Sequence, residues 1–145
     1  MTLGRIVTSP HVISLAWAAW CWPTAFSYWH ATPAQLDAVT RVVPADAVFW
    51  VWATAALLLT AGGVTTARRV GRIMRIAGLA IAAGMLIMWG GAYLWEASAS
   101  GSRMWVSAKN YLFMAAIAMG TATVVARDAP ALDTPAQEGR RCQKP

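Results

Sequence analysis

Four long apolar stretches, separated by short polar segments, make up most of the chain. They run from about residue 11 to 29, 47 to 64, 76 to 95 and 104 to 126. Each approaches the roughly 20 apolar residues that cross a hydrocarbon core of about 30 Å as a helix, and none alternates with period two as a barrel strand does. The pattern predicts an all-α integral membrane protein whose four transmembrane helices form an up-down bundle.

The polar segments divide the chain into two regions. Residues 1–127 are predicted to form the four-helix transmembrane domain, and the polar, proline-containing residues 128–145 a disordered cytoplasmic tail. A cleaved signal peptide is the alternative for the first apolar stretch. However, that stretch contains Trp17, Trp20 and Trp22 and leads into Tyr28-Trp29-His30, where a cleavage site needs small residues. We therefore favour an uncleaved helix.

Composition agrees with a lipid environment. Of the 145 residues, 58% are hydrophobic and 12% are charged, whereas about 25% are charged in an average soluble domain. The net charge of +6 would suggest nucleic acid binding if the basic side chains formed one patch, but most of them flank the apolar stretches. The lipid bilayer, and no nucleic acid, is the expected partner.

The basic residues also predict the orientation of the helices. Nine of the 12 Lys and Arg residues fall before the first stretch, between the second and third, or after the fourth. The positive-inside rule places these segments, and therefore both termini, in the cytoplasm. We expect the protein to lie in a bacterial inner membrane, which it crosses several times. Most of the 9 Trp, 3 Tyr and 3 Phe residues fall in the opposite, outer halves of the helices, as expected for an interfacial belt.

The predicted cytoplasmic halves are rich in small residues. Close approach of backbones supplies much of the energy of helix association in lipid, because hydrophobicity does not drive helices together there. A general alanine bias would also explain the small residues, but not the segregation of the aromatic ones. The glycines that we predict to support helix packing are Gly62, Gly63, Gly78, Gly84 and Gly120.

Lys109 is the only Lys, Arg, Asp or Glu residue inside a predicted span. A charge at membrane depth suggests a transport function, but a lysine near a helix end can also snorkel to the headgroups. Glu96 ends the preceding span and is a predicted ion-pair partner, while Asn110 is predicted to hydrogen-bond between helices. We favour snorkelling or the ion pair over transport.

The segment between the second and third stretches carries the densest positive charge. Its four arginines are predicted to contact anionic lipid as well as to set the topology: Arg68, Arg69, Arg72 and Arg75. The sequence contains no phosphate-binding loop, nucleophile elbow or zinc signature. We therefore expect neither an enzyme nor a cofactor or metal site.

The layout resembles the small four-helix membrane proteins of actinobacterial phages, some of which are holin-like. The resemblance lies in Thr8-Ser9-Pro10 before a Trp-rich first helix, a basic segment running into Arg75-Ile76-Ala77-Gly78-Leu79, and a polar C-terminal tail. It implies a phage product in the host inner membrane and assigns no functional residue.

Two functions remain open at this point. One is a holin-like protein that self-associates and then opens the membrane. The alternative is a non-conducting protein that contacts another membrane protein, in superinfection exclusion or as an accessory subunit of an envelope complex. Weak polar faces on the helices count against the first, and the absence of a sizeable soluble region limits the second to contacts within the membrane.

Overall fold

A computed structural model describes residues 9–29, 43–100 and 103–127. Within these ranges the chain forms four α-helices, which we number α1 (Pro10–Ser27), α2 (Ala45–Val64), α3 (Arg68–Ser100) and α4 (Trp105–Arg127). The predicted all-helical fold is therefore confirmed. The predicted disordered tail and the basic residues at both termini lie outside the described residues.

Three of the four helices, α2 to α4, are long and apolar enough to cross a membrane. The first helix is not among them. It has 18 residues, and these include two prolines, a histidine and three tryptophans. Its rise of about 27 Å is just below the thickness of a hydrocarbon core.

Local sequence accounts for where the helices begin and end. The ring of Pro10 occupies the first turn of α1, where a missing N–H costs nothing. Pro44 precedes α2, and Asp46 lies in its first turn, where the helix dipole favours a negative charge. At the other end of α2, the Thr65 N–H donates to the Ala61 carbonyl and closes the last turn.

The third helix is longer at both ends than predicted. It has 33 residues, starts at Arg68 and ends at Ser100, so the basic segment is its first two turns and not a loop. Arginine is a good helix former, and only Gly71 weakens helical propensity within this segment. A helix of this length rises about 50 Å, which exceeds a hydrocarbon core by several turns.

Contacts between the helices follow the order of the chain. The contact between α3 and α4 is the largest, those of α2 with α1 and with α3 are also extensive, and α1 meets α3 at few residues. Helix α2 runs antiparallel to α3, since Gly62 lies near Arg75 and Trp52 near Trp89. It also runs antiparallel to α1, since His11 lies near Gly63 and Trp29 near Phe49. The up-down order is thus present, but as an open row in which α4 has only α3 as an extensive neighbour.

Candidate functional site

The C-terminal end of α2 receives polar side chains from both neighbouring helices. His11 Nδ1 lies 2.8 Å from the Gly63 carbonyl oxygen, and an Nη of Arg75 donates to the Gly62 carbonyl at 2.6 Å. The last carbonyls of a helix lack intrahelical donors and carry partial negative charge, so these contacts satisfy them. We call His11, Gly62, Gly63 and Arg75 the arginine-end cluster.

One turn deeper, Ser14 ties α1 to α2. Its buried hydroxyl donates to the Leu59 carbonyl at 2.8 Å. The hydroxyl and the carbonyl are both fully enclosed. Water cannot reach them, so the hydroxyl depends on this bond for its hydrogen-bond partner. Sequence reasoning did not identify this contact or that of His11, because the acceptors are backbone atoms that leave no residue pattern.

The four arginines predicted to contact lipid occupy different environments. Arg68 and Arg69 are exposed and Arg72 is half-buried. Arg75 is only 7% exposed and is bonded to α2, so it is not available to a lipid headgroup. Its Nε has no hydrogen-bond partner among the described residues. Anionic-lipid contact remains a prediction for the first three.

The glycines predicted to support packing also divide into two groups. A Cβ on Gly62, Gly63 or Gly78 would lie within 2.9 Å of atoms on another helix, so these three lie where helices approach closely. A Cβ on Gly84 or Gly120 would meet nothing within 4 Å. These two glycines therefore do not pack against another helix of the same chain. Gly90, which was not predicted, packs against Leu112 of α4.

Aromatic rings connect all four helices in the half of the molecule opposite the arginine-end cluster. The Trp52 ring centroid lies 5.3 Å from those of Trp20 and Trp89, and Trp89 lies 5.3 Å from Tyr111 of α4. Tyr28 of α1 also contacts Trp89, with centroids 5.7 Å apart. The aromatic residues that the sequence segregates into one half thus pack against each other between the helices.

Two indole groups in this aromatic cluster are unusual. Trp52 and Trp89 are 0% and 3% exposed, yet the Nε1 of each lacks a hydrogen-bond partner among the described residues. An unpaired buried donor carries a desolvation cost of about 1–3 kcal/mol. Each ring has a neighbour inclined by 78°, a geometry compatible with weak N–H···π contacts that offset part of this cost.

The predicted polar group on α3 and α4 is not brought together. Lys109 and Asn110 are exposed and Glu96 is half-buried, and the described residues contain no ion pair between Lys109 and Glu96. Instead, Lys109 Nζ lies 5.6 Å from the Trp105 ring centroid, within range of a cation–π contact. The predicted snorkelling of Lys109 needs an exposed side chain near a helix end, and Lys109 lies in the second turn of α4.

Hydroxyl groups within the helices bond mostly to their own helix. Thr24, Thr54 and Thr121 each donate to the carbonyl four residues earlier, at 2.7–2.9 Å. Threonine and serine in membrane helices commonly satisfy themselves in this way. Such hydroxyls do not form a continuous polar lining between the described helices.

The face of α4 that points away from α3 is the least covered apolar surface of the described chain. Only 22% of the residues in its apolar stretch are buried, against 50% in α2 and α3. Its buried residues, among them Ala108, Ala115 and Ala118, point toward α3. None of the other described helices covers the opposite face.

The described residues contain no group of three or more His, Cys, Asp and Glu side chains that could hold a metal ion. The chain matches no family model, no curated protein and no solved structure.

Proposed function

We propose that the protein is a non-catalytic, multi-pass protein of a bacterial inner membrane that acts by associating laterally with a second copy through α4. The observation that carries this proposal is the uncovered face of α4. In a bilayer, either lipid or another helix covers such a face, and small residues on it favour a helix because they let two backbones approach closely.

The uncovered face has the composition of a helix–helix interface in lipid. Phe113, Ala116, Gly120 and Val124 are all exposed and share one side of α4 by helical spacing. Ala116 and Gly120, four residues apart, form the small-xxx-small spacing that lets two backbones approach closely. The open space beside Gly120 leaves room for the backbone of a partner helix.

The charge distribution supports an orientation with the arginine-end cluster toward the cytoplasm. Arg68, Arg69 and Arg72 extend from the first turns of α3, and Arg127 ends α4 on the same side. The described carboxylates, Asp46 and Glu96, lie at the other end of the helices. By the positive-inside rule, the arginine-bearing end and both termini lie in the cytoplasm.

Gly120→Leu tests the association, and Gly84→Leu is its matched control. Both glycines are exposed, and a Cβ at either would meet nothing within 4 Å, so each new side chain starts from open space beside the described helices. If α4 forms the interface, leucine at 120 overpacks it at a cost of about 1–3 kcal/mol, which weakens dimerisation about 5- to 150-fold.

Sedimentation equilibrium of the two variants and the wild type in maltoside micelles measures this effect. We expect Gly120→Leu to be monomeric at concentrations where the wild type and Gly84→Leu are oligomeric. A monomeric wild type would overturn the proposal, and an effect of Gly84→Leu alone would assign the interface to α3.

A holin-like protein is the second candidate, because self-association through a free helix face is also what a holin needs. The self-satisfied hydroxyls of α1, α2 and α4 disfavour a water-filled path and therefore favour the non-conducting function. Controlled expression in a bacterium with a membrane-potential dye separates the two. We expect the potential to persist, whereas abrupt depolarisation that Gly120→Leu abolishes would establish the holin-like function.

A further inference from the structure

A cleft of about 170 Å³ opens where the end of α1 meets the start of α2, at the end of the molecule opposite the arginine-end cluster. Its described lining consists of four aromatic residues and one carboxylate, namely Tyr28, Trp29, Asp46, Phe49 and Trp50. A volume of this size corresponds to about five or six water molecules in the liquid. It suits one small group and not a whole drug-sized molecule, for which clefts of about 300 Å³ or more are usual.

Three of the rings stand at steep angles to each other. The Trp29 and Phe49 rings are perpendicular, with centroids 4.7 Å apart, and the Phe49 and Trp50 rings are inclined by 70° at 5.0 Å. Phe49 and Tyr28 are buried, while Trp29 and Trp50 are about half or more exposed. The cleft thus has a fixed aromatic floor and two rings at its rim.

The chemistry of this lining favours an organic cation. Aromatic faces carry negative partial charge and attract a cation within about 6 Å of the ring centroid, and aromatic cages are the usual recognition device for quaternary ammonium groups. Asp46 supplies a full negative charge beside the rings. It has no ion-pair partner among the described residues.

Other ligand classes fit the same residues less well. A hard metal ion such as Ca²⁺ or Mg²⁺ needs several oxygen ligands, and Asp46 is the only carboxylate in the described lining. An anion would be attracted by the N-terminus of α2, but Asp46 already occupies its first turn and would repel a second negative charge. An uncharged apolar group gains nothing from the carboxylate.

From these observations, we propose that the cleft formed by Tyr28, Trp29, Asp46, Phe49 and Trp50 binds a methylated ammonium group, either of a soluble cation or of a lipid headgroup. The aromatic rings surround the methyl groups and Asp46 balances the charge. The cleft lies on α1 and α2, away from the α4 face, so this binding is independent of self-association.

Choline is the probe that tests the site, with the full-length protein in maltoside micelles that contain no ammonium group. Saturation-transfer difference NMR on its methyl protons measures the affinity at constant ionic strength. The comparison ligand is the uncharged isostere of choline in which carbon replaces nitrogen. We expect choline to bind at least about tenfold more tightly, because the isostere keeps the shape and loses the charge. Equal binding of the two would overturn the proposal.

Two pairs of matched variants assign the binding to this cleft. Asp46→Asn and Trp50→Leu should each weaken choline binding about two- to fivefold, as expected for half-exposed ionic and cation–π contacts. Glu96→Gln and Trp95→Leu make the same changes at the same end of the molecule but outside the cleft and should have no effect. Trp50 and Trp95 are 65% and 77% exposed, so neither variant threatens folding. Equal effects in both pairs would overturn the site.

Nanodiscs distinguish the two sources of the ammonium group. If phosphatidylcholine added to phosphatidylglycerol discs displaces choline, the lipid headgroup is the ligand; if it does not, the ligand is a soluble cation. Arg41 precedes α2 but lies outside the described residues. Choline binding that appears only in the Arg41→Gln variant would show that this side chain fills the cleft, and would overturn the proposal.

Discussion

Gly78→Ala and Gly84→Ala make the same chemical change on α3 in different surroundings. A Cβ on Gly78 would lie 2.7 Å from Leu59 Cγ and 3.1 Å from the Ala55 carbonyl oxygen of α2. A Cβ on Gly84 would meet nothing within 4 Å. The pair therefore isolates the steric cost of closing the gap between α2 and α3.

The magnitude follows from two opposing effects. Replacing glycine by alanine inside a helix gains up to about 1 kcal/mol, and this gain is common to both positions. At Gly78 the obstructing atoms belong to a fully buried leucine and to backbone, so neither moves freely, and overpacking costs about 1–3 kcal/mol. We expect Gly78→Ala to be less stable than Gly84→Ala by about 1–3 kcal/mol.

Reversible unfolding in maltoside micelles with increasing sodium dodecyl sulfate, followed by near-ultraviolet circular dichroism, measures this difference. The signal of the packed tryptophans reports tertiary structure near the contact. A second substitution, Leu59→Ala, removes the obstructing Cγ, so Gly78→Ala should cost less stability in the Leu59→Ala background than in the wild type. Equal midpoints for Gly78→Ala and Gly84→Ala would refute the close approach of α2 and α3.

Three further predictions use the same unfolding assay. Ser14→Ala should lower the free energy of unfolding by about 0.5–1.5 kcal/mol, because the Ser14 hydroxyl is buried against a carbonyl of α2. The control, Thr54→Ala, should match the wild type, because the exposed Thr54 hydroxyl bonds only to its own helix. Arg75→Met should lower the free energy of unfolding by about 1–3 kcal/mol, because it leaves a carbonyl at the end of α2 without a donor. The control, Arg69→Met, should leave the midpoint unchanged. An unchanged midpoint for Arg75→Met as well would contradict the capping function. Lys109→Met should change stability by no more than about 1 kcal/mol, and a larger loss would indicate an ion pair that the structure does not contain.

The number of helices could be predicted from the sequence because each apolar stretch is long enough to form a helix, although the first is not among those that are long and apolar enough to cross a membrane. The helix ends could not be predicted with the same criterion. A hydropathy pattern marks where the chain becomes apolar, whereas a helix continues as long as its residues support it. For this reason the arginines from 68 to 75 looked like a loop, although they form the first turns of α3.

The environment of each glycine depends on rotation about the helix axis, which composition does not reveal. Gly78 and Gly84 are six residues apart, which corresponds to a rotation of about 240° at 3.6 residues per turn. Gly90, a further six residues along, is rotated by the same angle again. These three glycines therefore face α2, open space and α4 respectively, and only the positions of the neighbouring helices distinguish them.

Different kinds of contact join the helices at the two ends of the molecule. At one end, His11 and Arg75 bind the carbonyls of α2; at the other, Trp52 and its ring neighbours fill the space between α1, α2 and α3. Apart from its aromatic contacts, α4 depends mainly on packing against α3. Because α3 and α4 share the largest contact between any two of the described helices, α4 stays packed on α3 while its opposite face remains uncovered. The open row is thus suited to a protein whose four described helices form one stable unit and whose fourth helix can also contact another molecule.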